Sequence, residues 1–182
     1  MANKRGVFLD RDDTIMADVV YCKNPDDVRL LPGAADGIRA LANAGFTIVI
    51  ATNQSGIGRG YFTERDLVAV NERLREELRA RGADFHALYY CPHRPEAGCA
   101  CRKPRPGLIV RAATELGLNL TSSYTIGDRQ WDIEAGKAAG TRTVLIAQDG
   151  EPADGVDFVA KDLLEAAHLI LADASSNQRV LQ

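Results

Sequence analysis

Short runs of apolar, often β-branched residues alternate along the chain with segments whose apolar positions recur at helical spacing. Apolar runs without polar alternation predict strands that are buried on both faces of a sheet. These runs lie at residues 6–9, 46–51, 85–90, 124–126, 142–147 and 156–159. The helical pattern lies at residues 33–44, from Thr63 to just before Gly82, and at 106–116, 130–139 and 162–171.

This regular alternation predicts a three-layer α/β fold, a Rossmann-like parallel sheet with helices on both faces. The helix that opens at Thr63 shows the pattern most clearly, because Thr63 and Asp66 have capping-box spacing. Its apolar positions share one face and are Leu67, Val70, Leu74 and Leu78. We expect residues 1–172 to form a single domain and residues 173–182 to form a flexible tail.

Length and charge limit the compartment and the partners. The chain has 182 residues and a formal net charge of −3, so it has no general electrostatic attraction for nucleic acid or an anionic membrane. The apolar run near the N-terminus is too short for a signal peptide, and no run approaches the ~20 apolar residues of a membrane span. We therefore expect a cytoplasmic monomer without nucleic-acid or membrane partners.

Polar side chains follow several predicted strands at the point where each strand ends. Asp10 and Asp12 follow the first strand, residues 52–55 follow the second, and Asp128 follows a later one. The carboxyl ends of parallel strands meet at one edge of a sheet, so these groups should converge. Converging carboxylates repel one another, and an all-oxygen site of this kind favours Mg²⁺. The expected ligands are Asp10, Asp12 and Asp128, with Asp132 as a further candidate.

The same residue types suit phosphoryl transfer. A carboxylate such as Asp10 can act as a nucleophile toward phosphorus, and Asp12 can protonate the leaving oxygen and later activate water. Thr52 and nearby backbone N–H groups can bind phosphoryl oxygens, which Lys103 can neutralise. An Asp-x-Asp pair alone is more often a turn or a helix cap. Its position after a buried strand favours a catalytic role.

Three thiols and one imidazole fall within eleven residues, at Cys91, His93, Cys99 and Cys101. Structural disulfides are rare in the cytoplasm, so the alternatives are a metal site or free buried thiols beside an unrelated histidine. Four such ligands would complete a tetrahedral Zn²⁺ shell and leave no position for water, which predicts a structural role. The loop 91–101 would then hold Arg102 and Lys103 in place.

Four segments resemble the four motifs of the haloacid-dehalogenase superfamily, in order, across residues 6–140. They are FLDRDDTI, ATNQSG, the lysine of CRKPRPG, and IGDRQWD. The cysteine and histidine loop is similar to the zinc loop of the heptose-bisphosphate and histidinol-phosphate phosphatase branch. The resemblance implies a domain without a large cap and Mg²⁺-dependent hydrolysis through an aspartyl-phosphate. Its expected substrate is a heptose 1,7-bisphosphate, attacked at the 7-phosphate.

The resemblance also implies which residues contact the substrate. The segment with Asp18 and Tyr21 corresponds in position to one that contacts the sugar in this branch. Arg59 and Arg102 are hypothesised to bind the second phosphate. The candidate substrate-binding residues are Asp18, Tyr21, Asn53, Gln54, Ser55, Arg59 and Arg102. Asp13 departs from the motif, which usually has glycine there, and we expect its carboxylate to point to solvent.

Three other functions compete with this hypothesis. A histidinol-phosphate phosphatase would use the same chemistry, and the sequence does not separate the two substrates. A polynucleotide 3′-phosphatase shares the pattern TNQSGIGRG, but the acidic balance and the zinc loop speak against it. A catalytically inactive, zinc-stabilised binding module is favoured only by Asp13. Retention of Asp10, Asp12, Lys103 and Asp128 argues against that module.

Overall fold

A computed structural model describes residues 4–147 and 155–180. Its centre is one sheet of six parallel strands in the order β3-β2-β1-β4-β5-β6. The strands are β1 (Gly6–Leu9), β2 (Thr47–Asn53), β3 (Ala87–Cys91), β4 (Tyr124–Gly127), β5 (Arg142–Ile146) and β6 (Phe158–Ala160). All six predicted strands are therefore present, with ends shifted by a few residues.

Six α-helices connect and cover the strands. They are α1 (Ala34–Asn43), α2 (Ser55–Gly58), α3 (Glu64–Arg79), α4 (Gly107–Leu116), α5 (Gln130–Ala139) and α6 (Leu163–Val180). Three short 3-10 helices lie at Pro25–Asp27, Pro95–Ala97 and Leu120–Ser122. Among the described helices, none has both the length and the apolar character needed to cross a membrane.

The strands bury side chains on both faces, as their apolar runs predicted. In β1, Val7 and Leu9 belong to a core shared with α1, α3 and α6, whereas Phe8 belongs to a second core with α4 and α5. Side chains on a strand point alternately to its two faces, so one short strand supplies both cores. The result is the predicted three-layer α/β arrangement.

Helix α3 begins and packs as predicted. Thr63 and Asp66 form the complete capping box, in which each side chain bonds the other residue's backbone N–H. The four apolar positions named for this helix are all fully buried: Leu67, Val70, Leu74 and Leu78.

The last helix is longer than predicted. Helix α6 continues to Val180, so most of the segment expected as a flexible tail is helical, and residues 181–182 lie outside the described residues. Two contacts explain the extension: the Tyr124 hydroxyl donates a 2.5 Å hydrogen bond to Asp173, and Ala174 packs against the core. Neither contact could be read from a local pattern.

Strand order reverses beside β1, and this places the functional residues. Leu9 of β1 pairs with Ile50 on one side and with Ile126 on the other. The chain builds β2 and β3 outward in one direction and then returns to start β4 on the opposite side of β1. Ligands bind at such a reversal, beyond the carboxyl ends of the strands. Asp10 is the first residue beyond β1.

Candidate active site

A polar pocket with a volume of about 350 Å³ opens at the carboxyl ends of β1, β2 and β4. It brings together most of the predicted catalytic and substrate-binding residues. Those that line it are Asp10, Asp12, Asp18, Tyr21, Thr52, Asn53, Gln54, Ser55, Arg102 and Asp128. Arg59 does not line this pocket, because it ends helix α2 next to Gly58, which packs against the loop after β3.

Lys103 holds the candidate nucleophile. Its Nζ donates a 2.8 Å hydrogen bond to Asp10 Oδ1 and a 2.7 Å hydrogen bond to the carbonyl of Ala51, and it lies 2.6 Å from Asp132 Oδ1. Burial alone would lower the pKa of Lys103, but Asp10 and Asp132 outweigh it and leave that pKa raised. The ammonium therefore has two hydrogen-bond acceptors and a second carboxylate in ion-pair contact, and its charge is fixed beside Asp10.

Asp132 is built into the support of this lysine. Its Oδ2 accepts a 3.1 Å hydrogen bond from the backbone N–H of Arg129, while Oδ1 faces Lys103. A side chain at position 127 would collide with Asp132, so Gly127 is required for this approach. Burial and the nearby Asp10 raise the pKa of Asp132 to about 6 against the opposing effect of Lys103.

Three carboxylates form the cluster that could hold a divalent cation. One oxygen each from Asp10, Asp128 and Asp132 lies within 4.8 Å of the others. Asp128 Oδ1 and Asp132 Oδ1 are both buried without a hydrogen-bond partner, although Asp132 Oδ1 forms an ion pair with Lys103 at 2.6 Å. Burial, followed by Asp10 and Asp132, raises the pKa of Asp128 to about 7. Oxygen ligands and unsatisfied buried carboxylate oxygens fit Mg²⁺, and Asp10, Asp128 and Asp132 are all candidate ligands.

The carboxylate of Asp12 lies outside this cluster. Arg11 donates to both of its oxygens, at 3.0 and 3.1 Å, and Gln54 Nε2 donates to Oδ2 at 2.9 Å. Burial raises the pKa of Asp12, which Arg11 opposes and Asp10 reinforces. A raised pKa suits a group that must carry a proton to a leaving oxygen. The geometry favours the predicted acid–base role of Asp12 over side-chain coordination of the metal.

The residues after β2 support the site in ways the sequence did not reveal. Gln54 Nε2 also donates to Thr52 Oγ1 at 2.9 Å, which leaves the Thr52 hydroxyl proton for another acceptor. The amide of Asn53 accepts a hydrogen bond from the backbone N–H of Lys103 and donates one to its carbonyl, at 3.1 and 3.2 Å. Asn53 and Gln54, predicted as substrate contacts, thus also position Lys103 and Asp12.

We expected the Asp13 carboxylate to point to solvent, but both of its oxygens have protein partners. Its backbone has a φ of 54°, in the left-handed region where glycine is favoured and aspartate is tolerated. Its Oδ1 accepts a 3.0 Å hydrogen bond from the backbone N–H of Asp18, and its Oδ2 lies 3.2 Å from Arg129 Nη2. The extra carboxylate lines the same pocket as Asp10, where its contacts are to Asp18 and Arg129.

The four predicted zinc ligands converge at one point. The sulfur atoms of Cys91, Cys99 and Cys101 are 3.1 to 3.5 Å apart. His93 Nδ1 lies 3.6 Å from the sulfur of Cys91 and 3.3 Å from that of Cys101. Ligands at the usual Zn–S and Zn–N distances would be roughly 3.3–3.8 Å apart at the corners of a tetrahedron. The cluster fits Zn²⁺, with Nδ1 as the imidazole ligand.

The zinc loop, residues 91–101, is attached to the rest of the site by close backbone contacts. The backbone N–H of Gly58 donates to the carbonyl of Pro92 at 2.9 Å, and that of Gly107 donates to Ala100 at 3.2 Å. A side chain at either glycine would collide with those backbone atoms. The loop therefore lies between helix α2 and helix α4, and Lys103 follows it directly.

Comparisons with known proteins agree with this geometry. A family model described as "HAD-hyrolase-like" matches residues 100–166. The chain is 37% identical over 163 residues to the D-glycero-beta-D-manno-heptose-1,7-bisphosphate 7-phosphatase of Yersinia pestis, covering 86% of this chain and 87% of that protein. It is 38% identical to the enzyme of the same name from Escherichia coli K12, covering 80% of each. The chain belongs to the haloacid-dehalogenase phosphatases.

A solved structure of this phosphatase family extends the agreement to the fold. The D,D-heptose 1,7-bisphosphate phosphatase of B. bronchiseptica, complexed with magnesium and phosphate, superimposes with a TM-score of 0.84. It is 33% identical in sequence, and the match covers 93% of this chain and 99% of that one. The six-stranded sheet and its helices are thus those of a haloacid-dehalogenase phosphatase.

The rim of the phosphatase pocket carries further charged and aromatic groups. Arg129 lines the pocket beside Arg102, and its Nε lies 2.7 Å from Asp128 Oδ2. Tyr21, with a φ of 57°, stacks edge-on against Tyr61 with ring centroids 4.7 Å apart. Trp131 lies at the edge of the pocket, 47% exposed. Arg11 was missed, because it occupies a variable position of the motif.

Proposed function

We propose that the protein hydrolyses the 7-phosphate of D-glycero-D-manno-heptose 1,7-bisphosphate through an aspartyl-phosphate on Asp10. The observation that carries this proposal is the pairing of Asp10 with the buried Lys103 at 2.8 Å, at the wall of a pocket that Asp10, Arg102 and Arg129 line. A nucleophilic carboxylate with a fixed cation beside it is suited to accept a phosphoryl group. Two further guanidinium groups are suited to a second phosphate.

In the first step an oxygen of Asp10 attacks phosphorus, and the bond to the sugar oxygen breaks. Lys103 offsets the charge that collects on the phosphoryl oxygens, and the Thr52 hydroxyl can donate to one of them. Asp12 gives its proton to the departing sugar oxygen, so the sugar leaves as a neutral alcohol. The products of this step are the alcohol and Asp10 bearing the phosphoryl group.

In the second step the same residues release phosphate. Asp12, now a carboxylate, takes a proton from water as that water attacks the phosphorus on Asp10. Inorganic phosphate leaves, Asp10 is restored, and Asp12 again carries its proton. Asp10 and Asp128 would hold the Mg²⁺, which supplies charge neutralisation and orientation of the phosphoryl group. Coordination by Asp12, predicted from the motif, remains a prediction.

The zinc site has a structural role in this proposal. Cys91, His93, Cys99 and Cys101 would occupy all four positions around Zn²⁺, which leaves none for water or substrate. The ion would fix the loop that leads into Arg102 and Lys103. The sugar contacts expected of Asp18, Tyr21 and Ser55 stay part of the proposal, since all three line the pocket. Arg59 does not line the pocket, and its contact with the second phosphate stays a prediction.

Two alternatives are less well supported. Histidinol phosphate carries an amine in place of a second phosphate, and Arg102 and Arg129, which both line the pocket, suit an anion better. The inactive binding module rested on Asp13, whose carboxylate instead bonds Asp18 and Arg129. The proposal also includes a cytoplasmic location and a monomeric state. A phosphorylated sugar is the only partner that it includes.

The test is phosphate release by protein loaded with Mg²⁺ and Zn²⁺, with Asp10→Asn as the blank. The substrates are both anomers of heptose 1,7-bisphosphate, histidinol phosphate and a 3′-phosphorylated oligonucleotide. We expect release from the heptose bisphosphate with a kcat/KM at least about 100-fold above the others, since one missing charged contact costs a few kcal/mol. Greater release from histidinol phosphate would overturn the substrate. No release above the blank would overturn the phosphatase.

A further inference from the structure

Arg11 is a buried charged side chain that the reaction as described does not use. It is only 1% exposed and is the bulkiest of the fully buried side chains. A buried guanidinium is costly unless each of its donors finds a partner. Its partners therefore show what the fold uses it for.

Both ends of the Arg11 guanidinium are occupied. Nε and Nη2 donate to the two oxygens of Asp12, at 3.0 and 3.1 Å. Nη1 donates to Asn71 Oδ1 at 3.0 Å, and Asn71 belongs to helix α3. The forked contact matches the planar shapes of guanidinium and carboxylate. Asp12 is thereby connected, through Arg11, to a helix that packs in the core.

Gln54, which follows β2 and precedes α2, supports the same carboxylate. Its Nε2 donates to Asp12 Oδ2 at 2.9 Å. Rotation of the Asp12 carboxyl group would break either the fork from Arg11 or this hydrogen bond. The orientation of Asp12 is thus fixed by Arg11 from the loop after β1, Gln54 from the loop after β2 and Asn71 of α3 acting together. The hydrogen bonds described for the Arg11 side chain go to Asp12 and Asn71.

We propose that Arg11 is a positioning residue that holds the carboxyl group of Asp12 in the orientation for proton transfer to the departing oxygen. Asn71 is the anchor of Arg11 on α3. The inference rests on the proposed role of Asp12 as general acid. It assigns to Arg11 an effect on the departure of the leaving group, and not on the binding of phosphate.

Leaving groups distinguish positioning from a general structural role. A sugar alkoxide needs a proton to depart, whereas p-nitrophenolate departs without one. The parameter kcat/KM covers only the steps up to loss of the leaving group, so hydrolysis of the aspartyl-phosphate does not enter it. A positioning defect must therefore lower kcat/KM much more for the sugar phosphate than for p-nitrophenyl phosphate.

The variants are Arg11→Lys, Arg11→Met and Asn71→Ala, all with zinc content and Tm checked. General acid catalysis contributes about 10²–10⁴-fold, so we expect Arg11→Met to lose roughly 10–100-fold on the sugar phosphate and less than about threefold on the aryl phosphate. Asn71→Ala should show the same selectivity to a smaller extent. The control is Arg75→Met, which removes an arginine on α3 that contacts Asp84 and Phe85.

The decisive measurement repeats Arg11→Lys in an Asp12→Asn background. If Arg11 acts through Asp12, it should change the ratio of the two kcat/KM values no further once Asp12 is lost. Equal losses on both substrates, or losses that add in the double variant, would overturn the inference. Wild-type release no faster than that of Asp10→Asn would overturn the proposed function instead, so the two failures are distinguishable. Should Arg11→Met not fold, Arg11→Lys and Asn71→Ala give the same comparison.

Discussion

Asp13 shows how one residue can depart from a motif and leave the site intact. Its left-handed backbone explains why glycine is usual at this position in the motif that the chain resembles. Aspartate is among the residues that tolerate this conformation, and here its side chain bonds the backbone N–H of Asp18. Arg129 then lies between two carboxylates, Asp13 and Asp128.

We expect Asp13→Asn to improve binding of an anionic substrate. Asparagine keeps the backbone conformation and an oxygen for Asp18, but it removes a negative charge near the pocket. One exposed charge is worth about 0.5–1 kcal/mol, so KM should fall about two- to fivefold at low salt and less at high salt. Steady-state kinetics at two ionic strengths would check this, with the exposed Glu72→Gln as control. A KM that does not change at low salt would contradict it.

Single residues divide into those that a pattern could indicate and those that it could not. Asp10, Asp12 and Asp128 follow strands, so the rule that ligands bind at strand ends predicted their convergence. Arg11 and the use of Asn53 as a support for Lys103 were missed. The contacts of Arg11 with Asn71 and of Asn53 with Lys103 join segments far apart in the chain, and no local spacing records which side chain fills which space.

At the scale of elements, the zinc loop is the connection between metal binding and catalysis. We expect Cys99→Ser to lose zinc and to lower kcat at least tenfold, because the backbone of Lys103 follows the loop and bonds Asn53. Zinc content and phosphate release would be measured together. Activity should return to chelated wild-type protein with added Zn²⁺ and not with Mg²⁺ alone.

A matched control for this prediction is Cys22→Ser. Cys22 is the fourth free cysteine and does not belong to the zinc cluster. The substitution Cys22→Ser makes the same chemical change outside the zinc cluster, so the zinc content should stay at one ion per chain. Full activity in zinc-free Cys99→Ser would mean that the loop positions Lys103 without its metal.

Helix α6 is the element that the sequence predicted least well. We expect Asp173→Ala to lower the free energy of unfolding by about 1–3 kcal/mol, because the partly buried Tyr124 hydroxyl loses its acceptor. Urea denaturation would measure the change. Ser175→Ala, at an exposed position of the same helix, should change it by less than about 0.5 kcal/mol. Equal effects of the two substitutions would show that the end of α6 does not stabilise the fold.

Most elements were predictable because their patterns are local. Buried strands have continuous apolar runs, and α3 has a capping box followed by a four-residue apolar face. The part of α6 beyond Leu171 was missed because its sequence is largely polar, and the contacts of Asp173 with Tyr124 of β4 and Arg142 of β5 are tertiary. Helix length there depends on tertiary contacts that the segment itself does not encode.

At the scale of the whole molecule, we expect the cluster of Asp10, Asp128 and Asp132 to link the stability of the folded protein to Mg²⁺ binding. We expect Mg²⁺ to raise the Tm by several degrees, because bound ligand at 100 times its Kd stabilises by about 2.7 kcal/mol. Asp128→Asn should remove this shift and raise the Tm of metal-free protein, since it relieves repulsion with Asp10 and Asp132. Differential scanning calorimetry would measure both.

Sodium chloride at matched ionic strength is the control for this measurement. A Mg²⁺ shift of the same size in Asp128→Asn would mean that the ion binds elsewhere.

The global fold itself was predictable, because the alternation of strands and helices leaves few arrangements for a chain of this length. The position of the pocket followed from the same alternation, through the reversal of strand order beside β1.

Trp131 is the only tryptophan of the chain and lies at the edge of the pocket. Indole emission depends on the water and charge around the ring, and here no second indole contributes to the signal. The molecule therefore contains its own optical reporter of pocket occupancy. Stopped-flow fluorescence could follow ligand entry and product departure on unlabelled protein, including inactive variants in which no phosphate is released.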